Sequence, residues 1–525
     1  AAEALRRILS RSPKHFTTPQ ALAALAGGWD ASYVMLSDGN DISTVTTEDR
    51  ELLCSGICRV LAALSSDKWT PTLSALAKPT VISIETIVRH INEMSTRRVA
   101  ETSLEFLSAL ARGGEEIRIL STMIRTFNNA AAEQIIDAYK HSNTDKSYHF
   151  EHPSLMILHR IWPCLSYVAQ HYSQHSVIAN ALGEILTNSV TIIARQNHDS
   201  ISLLKQICEA GAIMMSQVAS SSTTTASLAP AFQLIMEIID VFGVEAESCV
   251  RSNAAQDSAQ REYTQLIQTL LCVSSEAVSL AVGNIWSHGK EQGGGQNSVE
   301  GISMENRQKE KKSSDALAGM FSTLKKCIEL CPVLLVQMES ATIGSSSLFV
   351  QSMEAATVAI NDRQVDAARA SILYLKSALE LRDSIVKENV MSPESPWSII
   401  APTVAGTIGR LRSKLTERLI YGICGHFARE ILDPCALLLH ALLVRSPATT
   451  ETESMIVAAM RQEQFLLGDE ARMVAYQVLG QCSSGGIAPA VLIDFVSDLW
   501  AMHESDDTGG TAGGDAVKKL EKKYC

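Results

Sequence analysis

Residues 48–64 read EDRELLCSGICRVLAAL and show the pattern that decides the fold. Apolar side chains recur at intervals of three and four residues, which places them along one face of an α-helix. Thr46 and Thr47 precede the segment as N-cap residues, and Glu48 and Asp49 lie in its first turn, where acids interact favourably with the helix dipole. The segment is therefore predicted to be an amphipathic helix.

The same spacing recurs along the chain in segments joined by short polar connectors. Helices are predicted, for example, over 98–111 and 115–126, and no strand or hairpin pattern intervenes. Two helices with their connectors take roughly 35 to 45 residues, the size of a HEAT or armadillo repeat. Most segments carry a single apolar face, which suits stacked layers better than one packed bundle. The predicted fold is an all-α superhelix of HEAT/armadillo-like repeats.

One long break divides this array. Residues 287–314 contain Gly293-Gly294-Gly295 and a charged run, lack apolar periodicity and are expected to form a flexible insertion loop. The predicted organisation is therefore repeats over 1–286, the loop over 287–314, C-terminal repeats over 315–503, and a mostly disordered tail over 504–525 in which 516–523 can form a short helix.

Composition narrows the function classes. The chain has 525 residues and a net charge of −12, which argues against a general nucleic-acid binder and favours basic protein partners. Its 12 cysteines lie in apolar helical stretches, as reduced cysteines do, so a reducing compartment is expected. No uncharged apolar run reaches membrane-spanning length and no signal peptide is visible, so a soluble protein without membrane insertion is predicted. Because Ala1 already lies within an amphipathic pattern, we expect further chain upstream.

Motifs for catalysis are not found in the sequence. It contains no nucleophile elbow, metalloprotease helix or kinase signature, and Gly293-Gly294-Gly295 is not followed by the Gly-Lys-Ser/Thr of a phosphate loop. We therefore predict no catalytic residue, no cofactor-binding residue and no enzyme activity.

Five histidines, His149, His152, His159, His171 and His175, stand close together in the sequence. They lack paired cysteines or carboxylates at ligand spacing, so surface or capping histidines are the default interpretation over a metal site. No metal ligand is predicted.

Two cysteine pairs, Cys54 with Cys58 and Cys327 with Cys331, each share a helix face. Zinc would need two further ligands nearby, so buried thiols are the preferred interpretation.

Charged side chains give the candidate binding site. Arg410, Lys414 and Arg418 recur at four-residue spacing with Arg412 beside them, and such a stripe is suited to clamping acidic cargo or phosphate. The alternative is a solvated outer face partly paired with Glu417.

A second, acidic group comprises Glu237, Asp240, Glu245 and Glu247. On an inner surface these carboxylates would attract basic segments of a partner through interactions that salt weakens.

A family resemblance lies in the middle of the chain. Residues 154–165, SLMILHRIWPCL, and 176–182, SVIANAL, resemble the "IWPxL" helix and the following helix of the importin-β superfamily, in the branch of transportin-3 and importin-13. Pro163 is expected inside the first helix, where it removes a backbone hydrogen bond and kinks it.

Further stretches resemble the same branch in the same order. Residues 349–363 and 367–373 are similar to one late repeat, 411–443 to the next, and 52–68 to an earlier one. Together the matches cover most of the chain collinearly.

The resemblance implies a nuclear transport receptor of the importin/karyopherin-β type. Such a protein binds protein cargo, meets the Phe-Gly repeats of nucleoporins, responds to Ran-GTP held mainly by N-terminal repeats, and shuttles between cytoplasm and nucleus. Import or export stays open. The alternative is a HEAT-repeat scaffold or adaptor unrelated to transport.

One feature departs from the family. In transportin-3 the helix after the "IWPxL" helix is arginine-rich and reads arginine-serine cargo, whereas residues 177–194 contain no Lys or Arg. An importin-13-like or divergent cargo set is therefore an alternative to serine/arginine-rich cargo, and the sequence leaves both open.

Overall fold

The structure is a computed structural model. It describes residues 1–37, 45–144, 150–194, 201–221, 226–251, 258–282, 304–339, 347–361, 364–391, 396–423, 427–444, 456–457, 469–506 and 513–525. These residues are almost entirely helical, and their only β-structure is one isolated bridge between Glu339 and Ser347. The all-α prediction is confirmed.

Two compact units divide the chain, Ala1–Phe242 and Gly243–Cys525. The helices that begin in the first unit are α1 (Ala2–Arg11), α2 (Pro19–Ser37), α3 (Thr47–Ala62), α4 (Trp69–Thr96), α5 (Leu104–Ala130), α6 (Ala132–Thr144), α7 (Pro153–Tyr172), α8 (Ser176–Ile193), α9 (Ile201–Ser220) and α10 (Ala229–Arg251). The segment predicted over 48–64 is α3, and its N-cap is Thr46, whose hydroxyl accepts a hydrogen bond from the Asp49 amide at 3.1 Å.

The first unit has two layers. Helices α1, α3, α5 and α8 pack side by side in one layer, and α4, α7 and α9 do so in the other. Sequential helices such as α4 and α5, or α7 and α8, connect the layers as pairs. The core between them is apolar, with Trp69, Phe106 and Phe127 fully buried. This stacking of pairs is the arrangement that the one-faced apolar pattern predicts.

A single helix, α5, replaces the two helices predicted over 98–111 and 115–126. Gly113 and Gly114 lie inside it because neighbouring helices approach there. A Cβ on Gly113 would lie 3.3 Å from Ile87 Cγ2, and one on Gly114 would lie 2.5 Å from Val177 Cγ1. These glycines permit close packing of α4 and α8 against α5 and do not end the helix.

Pro163 lies inside α7, as the sequence predicts. The proline is exposed, so the position without a backbone donor faces solvent, where water can satisfy the carbonyl that loses its partner.

The second unit has the same kind of architecture. Its helices are α11 (Ser258–Val282), α12 (Met304–Leu330), α13 (Pro332–Gln337), α14 (Leu348–Ala359), α15 (Val365–Met391), α16 (Ala401–Tyr421), α17 (Leu432–Val444), α18 (Asp469–Ser483), α19 (Pro489–Asp506) and α20 (Gly513–Tyr524). Helices α11, α12, α15, α17 and α19 pack in sequence, while α14 and α16 pack together on the other side of α15.

The predicted loop over 287–314 is wrong in its last part. Residues 304–314 form the first turns of α12, whereas 287–303 lie outside the described residues. Residues 304–312 read MENRQKEKK and are nearly all strong helix formers. Without an apolar face they gave no periodic signal, although their intrinsic propensity supports a helix that continues from the buried part of α12.

The predicted disordered tail is also corrected. Residues 504–506 end α19, 507–512 lie outside the described residues, and 513–525 contain α20. Val517 and Leu520 are buried, and Asp498 accepts hydrogen bonds at 2.7 Å from both Lys523 Nζ and the Tyr524 hydroxyl. The short helix allowed over 516–523 is therefore present, and its apolar face docks it on the repeats.

Two described helices, α8 and α11, are long and apolar enough to cross a membrane by length and composition. A buried helix of a soluble fold passes the same test, and α8 packs against α5, α7 and α9. Each of the two also contains a carboxylate, Glu184 or Glu276. The absence of membrane insertion stays a prediction.

Candidate functional site

Two of the four cations predicted to form a basic stripe on α16 are exposed in the structure. Arg410 is exposed and its Nη2 lies 2.6 Å from Glu354 Oε1 of α14. Lys414 is exposed and makes no ion pair within the described part of the chain. These two side chains are accessible to an acidic partner, but one of them already has an intramolecular counter-ion.

The other two members of the stripe do not face solvent. Arg418 is only 8% exposed, and its Nη1 donates hydrogen bonds at 3.1 Å to the carbonyl oxygens of Thr357 and Val358. Arg412 is half-buried and donates to the Leu442 carbonyl oxygen at 3.1 Å. The prediction of one cationic face that contains all four residues is therefore wrong.

Helix geometry explains this correction. A four-residue step overshoots one turn by about 40°, so Arg418 is rotated by about 80° from Arg410 and enters the interface with α14. There the guanidinium donates to the carbonyls of Thr357 and Val358 in the last turn of α14, and the Val358 carbonyl also accepts the Asn361 amide at 3.3 Å. Arg418 is thus a structural residue of the repeat stack.

One member of the predicted acidic group, Glu247, is also buried and is not exposed to a partner. This carboxylate is 5% exposed and accepts hydrogen bonds from the Val333 amide at 3.1 Å and the Leu334 amide at 3.2 Å, at the start of α13. Arg251 Nε donates to it at 2.8 Å. Glu247 therefore satisfies helix N-terminal amides and does not attract a partner.

The histidines and cysteines behave as ordinary structural residues. His152 is buried and caps α7 by accepting a hydrogen bond from the Ser154 amide at 3.3 Å, while His159 and His171 are exposed and His149 lies outside the described residues. Burial lowers the pKa of His175. Among the described residues, no three His, Cys, Asp or Glu side chains are grouped closely enough to hold a metal ion.

Both cysteine pairs are buried thiols. Cys54 and Cys58 Sγ lie 4.0 Å apart in the core of α3, and the neighbouring Cys58 thiol, together with burial, raises the pKa of Cys54. Cys327 and Cys331 are likewise buried, and the same two causes raise the pKa of Cys327. Thiols held in the protonated form are poor nucleophiles and poor metal ligands.

A polar groove in the first unit was not predicted from the sequence. It has a volume of about 320 Å³ and lies where α5, α8 and the first turns of α10 come together. Its lining comprises Arg125 of α5, Asn180, Gly183, Glu184, Thr187 and Asn188 of α8, and Pro230 and Gln233 of α10. We call this feature the α8 groove.

A close helix approach builds the floor of the α8 groove. A Cβ on Gly183 would lie 2.5 Å from Pro230 Cβ, and one on Gly211 would lie 2.8 Å from Leu234 Cδ2. Glycine at these two positions therefore lets α10 pack directly on α8 and α9. The side chains on either side of the approach then form the walls.

The charges of the α8 groove are mutually neutralised. Arg125 Nη1 lies 3.1 Å from Glu184 Oε1, and this ion pair crosses from α5 to α8. The remaining polar lining residues are uncharged amides and a hydroxyl.

Several of those uncharged groups lack partners within the described part of the chain. Asn180 and Gln233 are exposed and make no hydrogen bond there, and the buried hydroxyl of Thr187 has none either. Asn188 uses one amide hydrogen, donating to Ser121 Oγ at 2.8 Å, which leaves its oxygen available. The groove therefore presents donors and acceptors without net charge.

Comparison with protein-family models and with curated proteins finds no match. Among solved structures, one titled as importin-13 in its cytosolic state is similar to this chain with a TM-score of 0.59 and 14% sequence identity. The similarity covers 96% of this chain and 47% of that chain. The chain has an importin-like helical-repeat fold. It spans about half the length of the importin-13 chain, and the HEAT-like solenoid class predicted from sequence is confirmed.

Proposed function

We propose that this chain belongs to a nuclear transport receptor of the importin/karyopherin-β type, which binds protein cargo and carries it through the nuclear pore under Ran control. The observation that carries the proposal is the importin-like fold over 96% of the chain. The collinear resemblance around the "IWPxL" helix and the late repeats supports it from the sequence. The branch of transportin-3 and importin-13 is the finer part of the same proposal.

The proposed mechanism is binding without catalysis. Stacked helix pairs expose long rows of side chains, which suits recognition of other proteins, and each repeat contacts mainly its neighbours. Small changes between repeats then alter the binding surface, so that one ligand shifts the affinity for another. Ran-GTP and cargo are the proposed pair of coupled ligands, and Phe-Gly nucleoporins are the proposed contacts in the pore.

The proposed location is both cytoplasm and nucleus, because a transport receptor shuttles between them. Buried protonated thiols such as Cys54 and Cys327 are compatible with these reducing compartments. The accessible part of the basic stripe, Arg410 and Lys414, is a secondary candidate contact for an acidic cargo segment.

A binding experiment tests the proposal. The natural full-length protein, immobilised, is exposed to Ran loaded with GTP or with GDP, and retained Ran is quantified. We expect at least tenfold more Ran-GTP than Ran-GDP to be retained, and a change in cargo affinity when Ran-GTP is present. Equal retention of the two forms would contradict the proposal and favour a scaffold that shares only the helical-repeat fold.

A further inference from the structure

We infer that the α8 groove binds an extended, uncharged polypeptide segment through that segment's backbone. The inference deepens the proposed function, because the segment would belong to a protein cargo. It rests on three observations of the groove: the spacing of its polar groups, the lack of partners of its exposed amides and the neutral balance of its charges.

Spacing along α8 matches an extended chain. Asn180, Glu184 and Asn188 all line the groove at four-residue intervals. Four residues of an α-helix advance about 6 Å along its axis. Two residues of an extended peptide advance about 6.6 Å. Two four-residue steps rotate about 80° around the helix, but Asn180 and Asn188 both line the groove and lie about 12 Å apart along α8, the length of about four peptide residues.

Carboxamides are suited to the peptide backbone. An Asn or Gln side chain has both a carbonyl acceptor and an NH₂ donor, so it can pair with a backbone N–H and C=O together. Asn180 and Gln233 have both functions unused within the described residues, and the Asn188 oxygen is also unused. These groups line the same groove from α8 and α10, so one bound strand can pair with both helices.

The charge balance of the groove indicates which kind of peptide segment it binds. The two ionised lining residues, Arg125 and Glu184, pair with each other at 3.1 Å, so neither requires a counter-ion from the ligand. A strongly acidic or basic segment would gain little there and would lose hydration. The preferred ligand is therefore rich in small or polar uncharged residues.

Peptide selection tests the inference directly. Displayed random peptides are selected on the purified chain, and the affinities of enriched sequences are measured by fluorescence anisotropy. The test variant is N180A/Q233A, which truncates two exposed side chains and leaves the core unchanged. The matched control is Q20A/Q134A, which truncates two exposed carboxamides that do not line the groove.

We expect uncharged peptides to be enriched, and we expect N180A/Q233A to weaken their binding about tenfold, since two hydrogen bonds at about 0.7 kcal/mol each are lost. Q20A/Q134A should leave the affinity within twofold. Methylation of single backbone nitrogens in the peptide should also weaken binding, and added salt should have little effect. Failure to enrich any peptide, enrichment of charged peptides with salt-sensitive binding, or unchanged affinity of N180A/Q233A would each overturn the inference.

This experiment separates the inference from the proposed function because it contains no Ran. Peptide binding that depends on Asn180 and Gln233, combined with no preference for Ran-GTP, would support the inference about the groove and contradict the proposed transport function. Ran-GTP binding without peptide enrichment would do the reverse.

Discussion

The basic stripe of α16 and the α8 groove show opposite relations between sequence and surface. The stripe has four cations at conspicuous spacing, yet Arg418 is buried against α14 and Arg412 binds a carbonyl of α17. The groove has unremarkable amides in its sequence, yet several of them face a common space without partners. Charged side chains that are conspicuous in a sequence can therefore stabilise the fold. The capacity to bind a partner depends instead on which polar side chains have no hydrogen-bond partner in the folded chain.

The largest expected effect concerns Arg418. Arg418→Met removes the donors to the Thr357 and Val358 carbonyls and should lower the free energy of unfolding by about 3 kcal/mol. Lys414→Met, one turn away and exposed, should change it by less than about 0.5 kcal/mol. Chemical denaturation followed by circular dichroism measures both. Equal effects would show that the stripe is one solvated face.

Glu247 offers the same contrast in the acidic group. Glu247→Ala leaves the buried Val333 and Leu334 amides without an acceptor and should destabilise the second unit by about 2 kcal/mol. The exposed neighbour Glu245→Ala should be nearly neutral. Hydrogen exchange of residues 332–337 reports the change locally. Unaltered protection of these amides in Glu247→Ala would contradict the capping role.

Glycine substitutions compare the two regions directly. Gly183→Ala places a methyl group 2.5 Å from Pro230 Cβ and should cost about 2 kcal/mol, because α8 and α10 must separate. Gly409→Ala on α16 meets no atom within 4 Å and should stabilise the helix by about 0.8 kcal/mol. Thermal unfolding of the two variants should therefore shift in opposite directions. A shift in the same direction would show that the floor of the groove is not tightly packed.

The smallest expected effects belong to the two exposed ion pairs. Arg125 with Glu184 and Arg410 with Glu354 are both partly solvated, so each should contribute less than about 1 kcal/mol. Double-mutant cycles measure each coupling energy, and both should fall as salt is added. A coupling well above this limit at Arg125 would mean that the groove is held rigid by charge.

Local patterns made the helices predictable. The Thr46 cap, the apolar face of α3 and Pro163 inside α7 depend on residues close in sequence, and all three were correct. Errors arose where the deciding contact was distant, since the close approach of Ile87 and Val177 accounts for glycine at positions 113 and 114 inside a continuous helix. Residues 304–314 were missed because a helix without an apolar face has no periodic signal.

The site was less predictable than the fold for a physical reason. Residues Gly183 and Pro230 are far apart in sequence, and no local rule indicates that they touch. The availability of Asn180 and Gln233 is a property of the folded chain, because it depends on which neighbours fail to supply partners. The four-residue spacing also predicted more exposed cations in the stripe than the structure has, because a four-residue repeat drifts around a helix.

Passage through the nuclear pore tests the central proposal most directly. The fluorescent full-length protein is added to permeabilised cells without other transport receptors, beside an inert globular protein of equal mass. We expect the protein to collect at the nuclear envelope and to enter nuclei at least several-fold faster than the inert control. Exclusion from nuclei equal to that of the control would contradict the proposal.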